Sequence, residues 1–339
     1  MSEIKVSVLV AIYNAEQYLR QCLDSLRSQT LAECQFLCVD DCSTDSSVSI
    51  IKEYAAQDSR FQLLHTPVNS GHSVARNLGL SFARGEYITM LDADDWLSPD
   101  ALSQAYAVAT QGEGFDCVML RLMMYNEWDH TQHLFPSLQF DAPISGQEAF
   151  RLSLDWQVHG YYILRREIHL QNPYDATFRI YTDDNITTRL HLLHSRSVAF
   201  SKGEYYYRQH ADSITHKYSV NRFLFMDALS LLKENILREI AAGNIDNPES
   251  LLNHFENLRW FNYLDMVRYY LEHKQKMSAT ERADISRRLQ DKLHSFETSR
   301  LESRLKFRPG YIPIQNWNLF LLQQWFFRVA YPLYQNLKN

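Results

Sequence analysis

The sequence predicts an α/β protein in which a mostly parallel sheet flanked by helices is followed by an α-helical C-terminal region. Apolar, β-branched runs alternate with segments of helical periodicity through residues 1–124, a pattern typical of doubly wound sheets. From Asn221 onward only helical periodicity is found. The length of 339 residues and the composition, 45% hydrophobic and 22% charged, are typical of a globular protein with more than one domain.

The first element, Val6 to Ile12, is almost wholly apolar, which indicates a strand buried on both faces. Asn14 and Gln17 then match a capping box, so we expect a helix to begin there. Ser98, followed by proline and aspartate, predicts another helix start. The other strands are predicted, with helices between them, at Gln35–Asp40, Phe61–His65, Tyr87–Leu91 and Cys117–Met124.

Three carboxylates, Asp92, Asp94 and Asp95, directly follow the fourth predicted strand. They therefore lie at the carboxyl edge of the sheet, where open α/β sheets bind ligands. Carboxylates packed this closely repel one another unless a cation or a set of hydrogen-bond donors sits among them. We interpret them as a site for Mn²⁺ or Mg²⁺, completed by water and by the phosphates of a substrate. The alternative is an aspartate-rich turn that caps the next helix.

Composition and glycine placement argue against several functions. The net charge of −6 speaks against nucleic acid as the main partner. The five cysteines form no Cys-x-x-Cys pair, and their odd number disfavours a disulfide framework and indicates a reducing compartment. A zinc site at Cys34, Cys38 and Cys42 with His65 or His72 is disfavoured because Cys38 lies inside a strand-like run. No glycine precedes Gly71, so neither a Rossmann dinucleotide fingerprint nor a P-loop follows the first strand. The N-terminus lacks a secretory signal pattern, and we expect a cytoplasmic protein.

Two further side chains follow strands at the same edge of the predicted sheet. Tyr13 directly follows the first strand, and its ring is suited to stacking on a nucleobase. Asp41 ends the second strand, and its carboxylate is suited to accepting a ring N–H of a pyrimidine. Together with the three carboxylates, they predict a site for a nucleoside diphosphate compound.

Four ordered motifs lie at Ser7 to Asn14, Val39 to Asp45, Asn69 to Gly79 and Gly85 to Asp95. They resemble those of the inverting glycosyltransferases of family two, which have the GT-A fold and include enzymes of bacterial cell-surface polysaccharide synthesis. The chain departs from the family pattern at Ala11, where proline is usual, and at Cys42, where glycine is usual. We expect the first change to be harmless and the second to alter the loop over the base.

The resemblance implies a metal-dependent transfer from a nucleotide sugar, with a UDP-sugar as the expected donor. Carried over residue by residue, the nucleotide-sugar contacts are expected from Ala11, Tyr13, Asp41, Arg76, Asp92 and Ala93. The Asp-x-Asp motif of the family makes Asp94, Asp92 and Asp95 the expected metal ligands. For Tyr13 and Arg76 the alternatives are a packed aromatic ring and a solvated helix arginine.

A second acidic pair, Asp183 and Asp184, resembles the Glu-Asp motif of the family that precedes a helix. The resemblance implies that Asp184 is the catalytic base, because a single inverting displacement requires one carboxylate to take the proton of the acceptor hydroxyl. Asp183 is interpreted as a diphosphate or acceptor contact, or as a helix N-cap. Arg208 and His210 match a strand-end motif from which either side chain would reach the diphosphate, with a structural histidine as the alternative for His210.

We expect a catalytic GT-A domain at 1–219, with a nucleotide-binding half at 1–124 and an acceptor-side half at 125–219. Residues 220–339 form the helical region, whose aromatic tail at 311–337 follows a basic run. The tail is too short and too polar to span a bilayer. It is interpreted as an interfacial helix that meets a lipid-linked acceptor at the inner face of the plasma membrane, or as a segment docked on its own domain or on a second subunit of a homo-oligomer.

Two other functions remain as alternatives to transfer onto a glycan or lipid-linked acceptor. A nucleotidyltransferase that makes the sugar nucleotide resembles a family with a glycine-rich loop after the first strand, which this chain lacks. A non-catalytic GT-A interaction module would tolerate loss of Asp94 or Asp184, and both are present. The sugar and the linkage depend on loop geometry, which these motifs do not determine.

Overall fold

The computed structural model describes residues 3–177, 186–210, 218–302, 314 and 316–326. The chain divides into two compact units, Met1–Tyr218 and Ser219–Asn339. Within the described residues, the first unit is built on one ten-stranded sheet with helices around it. The second unit is helical.

The elements of the first unit follow the alternation expected from the sequence. Its strands are β1 (Val6–Ile12), β2 (Cys34–Asp40), β3 (Phe61–His65), β4 (Tyr87–Met90), β5 (Trp96–Leu97), β6 (Cys117–Asn126), β7 (Gln132–Leu134), β8 (Ile144–Ser145), β9 (Tyr162–Arg165) and β10 (Ser197–Gln209). Its helices are α1 (Glu16–Arg27), α2 (Ser47–Gln57), α3 (His72–Phe82), α4 (Ala101–Ala109), α5 (Gly146–Leu154), α6 (Arg166–Gln171) and α7 (Thr188–Leu193). The five predicted strands are β1, β2, β3, β4 and β6, whereas α4 begins at Ala101 and not at Ser98.

The order of strands across the sheet is β3-β2-β1-β4-β9-β6-β10-β5. β1 pairs in parallel with both β2 and β4, and β2 pairs in parallel with β3. β9 lies antiparallel between β4 and β6, and β10 runs parallel to β6. The described strands of residues 125–219 therefore belong to the same sheet as those of residues 1–124.

Helices cover both faces of the parallel strands. Successive residues of β1 point to opposite faces, so Val8 packs in one cluster with Leu23 of α1, while Leu9 packs in another with Leu80 of α3. All of these side chains are buried. Because helices cover both faces of these strands, a site for a polar ligand has to be formed at an edge of the sheet. The loops at the carboxyl edge carry the polar residues singled out in the sequence.

The start of α1 is not the capping box that the sequence predicts. Asn14 adopts a left-handed conformation with φ of 48°, and the side chain of Ala15 at the N-cap position makes no cap. The first N–H groups donate instead to the loop after β2: Ala15 to the Ser47 hydroxyl (2.9 Å) and Glu16 to the Asp45 carboxylate (3.0 Å). The capping prediction was wrong because the acceptors come from a neighbouring loop, which the local sequence does not reveal.

The second unit contains α8 (Leu224–Ala241), α9 (Pro248–His273), α10 (Ala279–His294) and α11 (Trp317–Trp325). A buried ion network joins its helices. The Glu256 carboxylate, which is fully buried, accepts from Lys233 (3.1 Å) and Arg259 (2.8 Å). The two cationic donors offset the hydration that the buried carboxylate loses. Because the network includes residues of both α8 and α9, it constrains how these two helices pack against each other.

Most of the aromatic tail at 311–337 lies outside the described residues, and α11 is the main described part. Phe320 is fully buried, with its ring centroid 6.0 Å from that of Trp260 and 5.8 Å from that of Tyr263. One face of α11 thus docks within the helical unit, while Leu322 and Trp325 are more than half exposed. Among the described residues, none of the helices combines the length and apolar character that crossing a bilayer requires.

Candidate active site

The loops after β1 and β2 are joined at the carboxyl edge of the sheet. The Asn14 N–H donates to the Ser43 hydroxyl (3.0 Å), and the Asn14 side-chain carbonyl accepts from the Thr44 N–H (2.7 Å). Tyr13 precedes this junction and is 53% exposed, while Ala11 in β1 is half-buried. The Tyr13 ring is therefore not packed in the core, and it is accessible for stacking.

The Asp41 carboxylate is buried and is oriented by the segment that precedes α3. It accepts hydrogen bonds from the Thr66 hydroxyl (2.6 Å), the Ser70 N–H (2.9 Å) and the Gly71 N–H (2.7 Å). An ionised carboxylate has about four acceptor positions. These donors leave roughly one position, which is what recognition of a single ring N–H requires.

Cys42, which stands where the family pattern has glycine, adopts φ of 66°. This left-handed conformation is unfavourable for residues with a Cβ atom and costs glycine nothing, which explains why glycine is usual here. The Cys42 thiol lies 3.5 Å from the Thr66 carbonyl oxygen. The cysteine is thus accommodated in a backbone conformation that favours glycine.

Replacing Cys42 by glycine is expected to stabilise the protein by about 1 kcal/mol, because relief of the left-handed strain exceeds the extra entropy that glycine has in the unfolded chain. The melting temperature should rise by about 2–4 °C in differential scanning fluorimetry. Cys34→Gly is the matched control, and it should lower the melting temperature because Cys34 lies in the regular strand β2. A melting temperature of Cys42→Gly at or below that of the unchanged chain would contradict the prediction.

Arg76 on α3 forms an ion pair with Asp92 at 2.6 Å. Arg76 is 6% exposed, and its guanidinium lies 5.6 Å from the ring centroid of Tyr174. The backbone N–H of Tyr174 in turn donates to the Asn77 side chain (2.9 Å). Arg76 is therefore a buried residue that orients Asp92, and it is not the solvated helix arginine that the sequence left open.

Asp94 lies next to His210, with 3.0 Å between a carboxylate oxygen and the imidazole Nε2. The side chains of Asp92 and Asp94 are 38% and 39% exposed. Burial and the charge of Asp92 raise the pKa of Asp94, and the hydrogen bond with His210 opposes that rise. Two carboxylates that repel each other, both open to solvent, form a site that a cation would stabilise.

Asp95 points into the protein, in contrast to Asp94. Its carboxylate is 1% exposed and accepts from the Tyr205 hydroxyl (2.7 Å) and the Arg208 N–H (2.7 Å). Burial and the charges of Asp94 and Asp92 raise its pKa well above the usual range. The contacts of Asp95 differ from those expected of a metal ligand, because the carboxylate fixes the acidic loop to β10.

Arg208 is also placed differently from the expected diphosphate contact. It is 6% exposed, and its guanidinium lies 4.7–5.4 Å from the ring centroids of Tyr18, Trp96 and Tyr125. Its Nε donates to the backbone carbonyl of Asp94 (2.8 Å). Arg208 is thus enclosed by aromatic rings and bonded to the backbone of the acidic loop, which it holds in position.

Tyr18 and Tyr205 are site residues that the sequence analysis missed. The Tyr18 ring centroid lies 4.7 Å from that of His210, and its hydroxyl donates to the Glu127 carboxylate (2.9 Å). The Tyr205 hydroxyl holds Asp95. A buried tyrosine needs a partner for its hydroxyl, and the tyrosine-rich strand before His210 was the available signal.

Within the part of the chain that the structure describes, no group of three or more His, Cys, Asp or Glu side chains is arranged to hold a metal ion. Mg²⁺ and Mn²⁺ prefer oxygen ligands, and Mg²⁺ is usually held by one or two carboxylates together with substrate phosphates. The half-exposed Asp92 and Asp94 supply such oxygens, with His210 beside them. The residues present therefore fit a cation that is held jointly by the protein and the phosphates of a ligand.

Asp183 and Asp184 lie in residues 178–185, outside the described residues. The identification of Asp184 as the base therefore stays a prediction. The described chain resumes at Ile186 and enters α7 at Thr188, in agreement with the expectation that the acidic pair precedes a helix.

The mostly parallel sheet flanked by helices, followed by a helical region, is the architecture of the GT-A fold. The family model described as glycosyl transferase family 2 matches residues 7–171. A putative glycosyltransferase, EpsH of Bacillus subtilis (strain 168), is 34% identical over 240 residues, which are 68% of this chain and 67% of EpsH. The chain belongs to glycosyl transferase family 2.

Two further comparisons extend over nearly the whole chain. The glycosyltransferase GlyG of Streptococcus pneumoniae serotype 4 is 28% identical over 299 residues, covering 85% of this chain and 96% of GlyG. The crystal structure of S. aureus TarS 1–349 in complex with UDP-GlcNAc has a TM-score of 0.73 at 20% identity, covering 96% of this chain and 92% of that one. The predicted GT-A fold with a helical C-terminal region is confirmed, and the nucleotidyltransferase alternative is set aside.

Proposed function

We propose that this glycosyltransferase moves a sugar from a UDP-sugar to a hydroxyl of a glycan or lipid-linked acceptor, in the synthesis of a cell-surface polysaccharide. The reaction is a metal-dependent displacement with inversion. The observation that carries the proposal is the convergence at one sheet edge of Asp41, oriented for a base N–H, with the solvent-open pair Asp92 and Asp94. The complex of the similarly folded TarS with UDP-GlcNAc supports the choice of uridine.

Donor recognition is assigned to the loops at the ends of β1, β2 and β4. Asp41 accepts the ring N–H of uracil, and the exposed Tyr13 ring stacks on the base. The ion pair with Arg76 described above orients the Asp92 carboxylate for contact with the nucleotide sugar. Asp95 and the enclosed Arg208 keep the acidic loop rigid, so the donor meets carboxylates that are already oriented.

The displacement requires a proton acceptor and a stabilised leaving group. Asp94 and Asp92 are the residues that would hold a Mn²⁺ or Mg²⁺ ion, which would supply positive charge to offset the charge of the departing diphosphate. The acceptor oxygen forms a bond to the anomeric carbon while the bond from that carbon to the diphosphate oxygen breaks. The hydroxyl proton passes to the Asp184 carboxylate. His210 is as buried as Arg208, and its bond to Asp94 makes it a residue that positions this carboxylate.

A thermal-shift titration tests the donor assignment. A UDP-sugar at about 100 times its dissociation constant should stabilise the protein by roughly 2.7 kcal/mol, and Mn²⁺ should strengthen the effect. Asp94→Asn should remove the metal-dependent part, while Asp265→Asn on the exposed face of α9 serves as the matched control. A shift with adenosine diphosphate sugars and none with uridine compounds would reject the assignment. Binding without any product on an acceptor panel would favour the non-catalytic alternative.

We extend the proposal to membrane contact through residues 311–337. Every charged residue after Glu302 is basic, and α11 presents Leu319, Leu322 and Trp325 to solvent. An apolar face beside basic residues is the composition of helices that lie on anionic membranes.

The full chain should sediment with vesicles containing anionic lipid, and a chain ending at residue 302 should stay in solution. Equal sedimentation of both chains would exclude the tail as the contact, and dimerisation without lipid would favour a second subunit.

A further inference from the structure

Trp156 lies in the turn between α5 and β9 in a conformation that is rare for a bulky residue. Its φ is 59°, in the left-handed region, and the side chain is 42% exposed. The conformation closes α5, because the Trp156 N–H donates to the Ser153 carbonyl (3.2 Å) and the Gln157 N–H to the Leu152 carbonyl (3.0 Å), and the residue at this position of a helix end is commonly left-handed. Glycine is the usual residue there, and an exposed tryptophan alone would need no explanation, but a tryptophan whose ring is also held from behind does.

The support behind Trp156 is Arg189 of α7. The guanidinium carbon lies 5.3 Å from the indole centroid, and Arg189 is 3% exposed. Its Nε and Nη2 also lie 3.4 and 3.3 Å from the Ser153 carbonyl oxygen, near the end of α5. One face of the indole therefore rests on a buried cation that is itself bonded to the preceding helix. This support preorganises the ring before any ligand arrives.

The packing of α5 against α7 determines at which end of these helices Trp156 lies. Gly146, the first residue of α5, is so close to the end of α7 that a Cβ atom there would lie 1.9 Å from the Ser195 carbonyl oxygen. Trp156 follows the other end of α5 and meets Arg189, near the start of α7. The two helices therefore run in opposite directions, and Trp156 lies near the N-terminus of α7.

Gly160, later in the same turn, also lies close to α7. A Cβ atom on Gly160 would lie 3.3 Å from the methyl group of Thr188, the first residue of α7. The end of α7 leads into the start of β10, which runs in the same direction as β6 and β4. The start of α7, and Trp156 with it, therefore lies toward the carboxyl edge of the sheet, the edge that carries the candidate active site.

We propose that Trp156 is a platform on which a pyranose ring of the acceptor glycan stacks. This inference rests on the proposed glycosyl transfer and adds an acceptor subsite to it. A pyranose has a face of C–H groups bordered by hydroxyls, and a flat indole with polar neighbours matches both. The neighbours are Asp155, which is exposed, and Gln157, which is half-buried. A protein partner would need a far larger contact area than one ring between two polar residues.

Trp156→Gly is the informative variant, because glycine tolerates the left-handed backbone and the change removes the ring without adding strain. Trp156→Phe keeps a ring, and Trp128→Ala removes a comparably exposed tryptophan, 59% exposed, from the turn after β6. The probes are methyl pyranosides of glucose, galactose and N-acetylglucosamine, observed by saturation-transfer NMR with UDP present. Melting temperatures establish that each variant is folded, and the thermal shift with UDP reports the donor site.

We expect the unchanged chain, Trp156→Phe and Trp128→Ala to transfer saturation to the C–H face of at least one pyranoside. Trp156→Gly should bind that pyranoside about tenfold more weakly, with an unchanged UDP shift and a melting temperature no lower than that of the unchanged chain. Equal pyranoside binding by Trp156→Gly, or no pyranoside contact with any chain that binds UDP, would overturn the inference. Loss of the UDP shift in Trp156→Gly would also overturn it, by placing the ring in the donor site. Absence of UDP binding in the unchanged chain would instead reject the proposed function.

Discussion

Asp184→Asn is expected to lower the transfer rate by about 10²–10⁴-fold while leaving donor binding intact. Asparagine keeps the shape of the side chain but cannot take the acceptor proton. The other carboxylates at the sheet edge are already engaged: Asp92 with Arg76, Asp94 with His210, and Asp95 with β10. The rate should be measured at saturating UDP-sugar with the acceptor varied, and donor binding by thermal shift.

Asp183→Asn is the matched control for that experiment, because it changes the neighbouring carboxylate in the same way. Its activity should stay within a few fold of the unchanged enzyme if Asp183 acts as an N-cap, because asparagine also caps helices. Near-full activity of Asp184→Asn with loss in Asp183→Asn would move the base by one residue. A product that retains the anomeric configuration of the donor, seen by NMR, would refute the single displacement.

Lowering the pH from about 7 to 4 is expected to cost the first unit roughly 3 kcal/mol of stability through His159 alone. His159 is fully buried, and burial lowers its pKa to about 4, against the opposing effect of a hydrogen bond with the backbone of Leu120. Its Nδ1 accepts from the Tyr161 N–H (3.2 Å), so the neutral ring is the form that fits. Below the ordinary pKa of 6.5 the unfolded chain binds a proton that the folded chain does not. Stability therefore falls from pH 6.5 until the folded chain is also protonated near pH 4.

His159→Gln should reduce this pH dependence, measured as the difference in the free energy of urea unfolding between about pH 7 and pH 4.5. Part of the dependence should remain, because burial also lowers the pKa of His169. His133→Gln on β7 is the matched control, since His133 is exposed and its loss should change nothing. The same pH dependence in His159→Gln and in the unchanged chain would show that His159 is not buried in its neutral form.

The parallel part of the fold could be predicted because each of its strands can be recognised from its own stretch of sequence. Val6–Ile12 and Cys34–Asp40 are apolar runs followed by helical periodicity, and such units have few ways to assemble. The insertion of β9 could not be predicted. Tyr162–Arg165 has four residues and becomes a strand only because β4 and β6, distant in sequence, leave unpaired backbone groups for it. Non-local pairing of this kind leaves little trace in the sequence.

For the site, the sequence identified which carboxylates reach the edge but not their directions. Asp94 and Asp95 are neighbours of identical chemistry, and the structure turns the first to solvent and the second inward. Their difference depends on donors from Tyr205 and Arg208, which come more than a hundred residues later in the chain. The orientation of Asp41 likewise depends on N–H groups in another loop. A sequence motif specifies which residue types are present, whereas hydrogen-bond donors from distant parts of the chain determine how the carboxylate side chains are oriented.

The hydrogen bonds from β10 to Asp95 have a consequence for how the protein matures. β10 is the last strand of the first unit among the described residues, so during synthesis the acidic loop emerges long before the groups that hydrogen-bond to the buried carboxylate of Asp95. Over the same interval β4 lacks its partner β9 and is an unprotected sheet edge. A nascent or truncated chain ending near residue 124 should therefore associate with other chains instead of forming a small donor-binding domain. Donor affinity would arise only in a single late step, when residues 197–209 join the sheet.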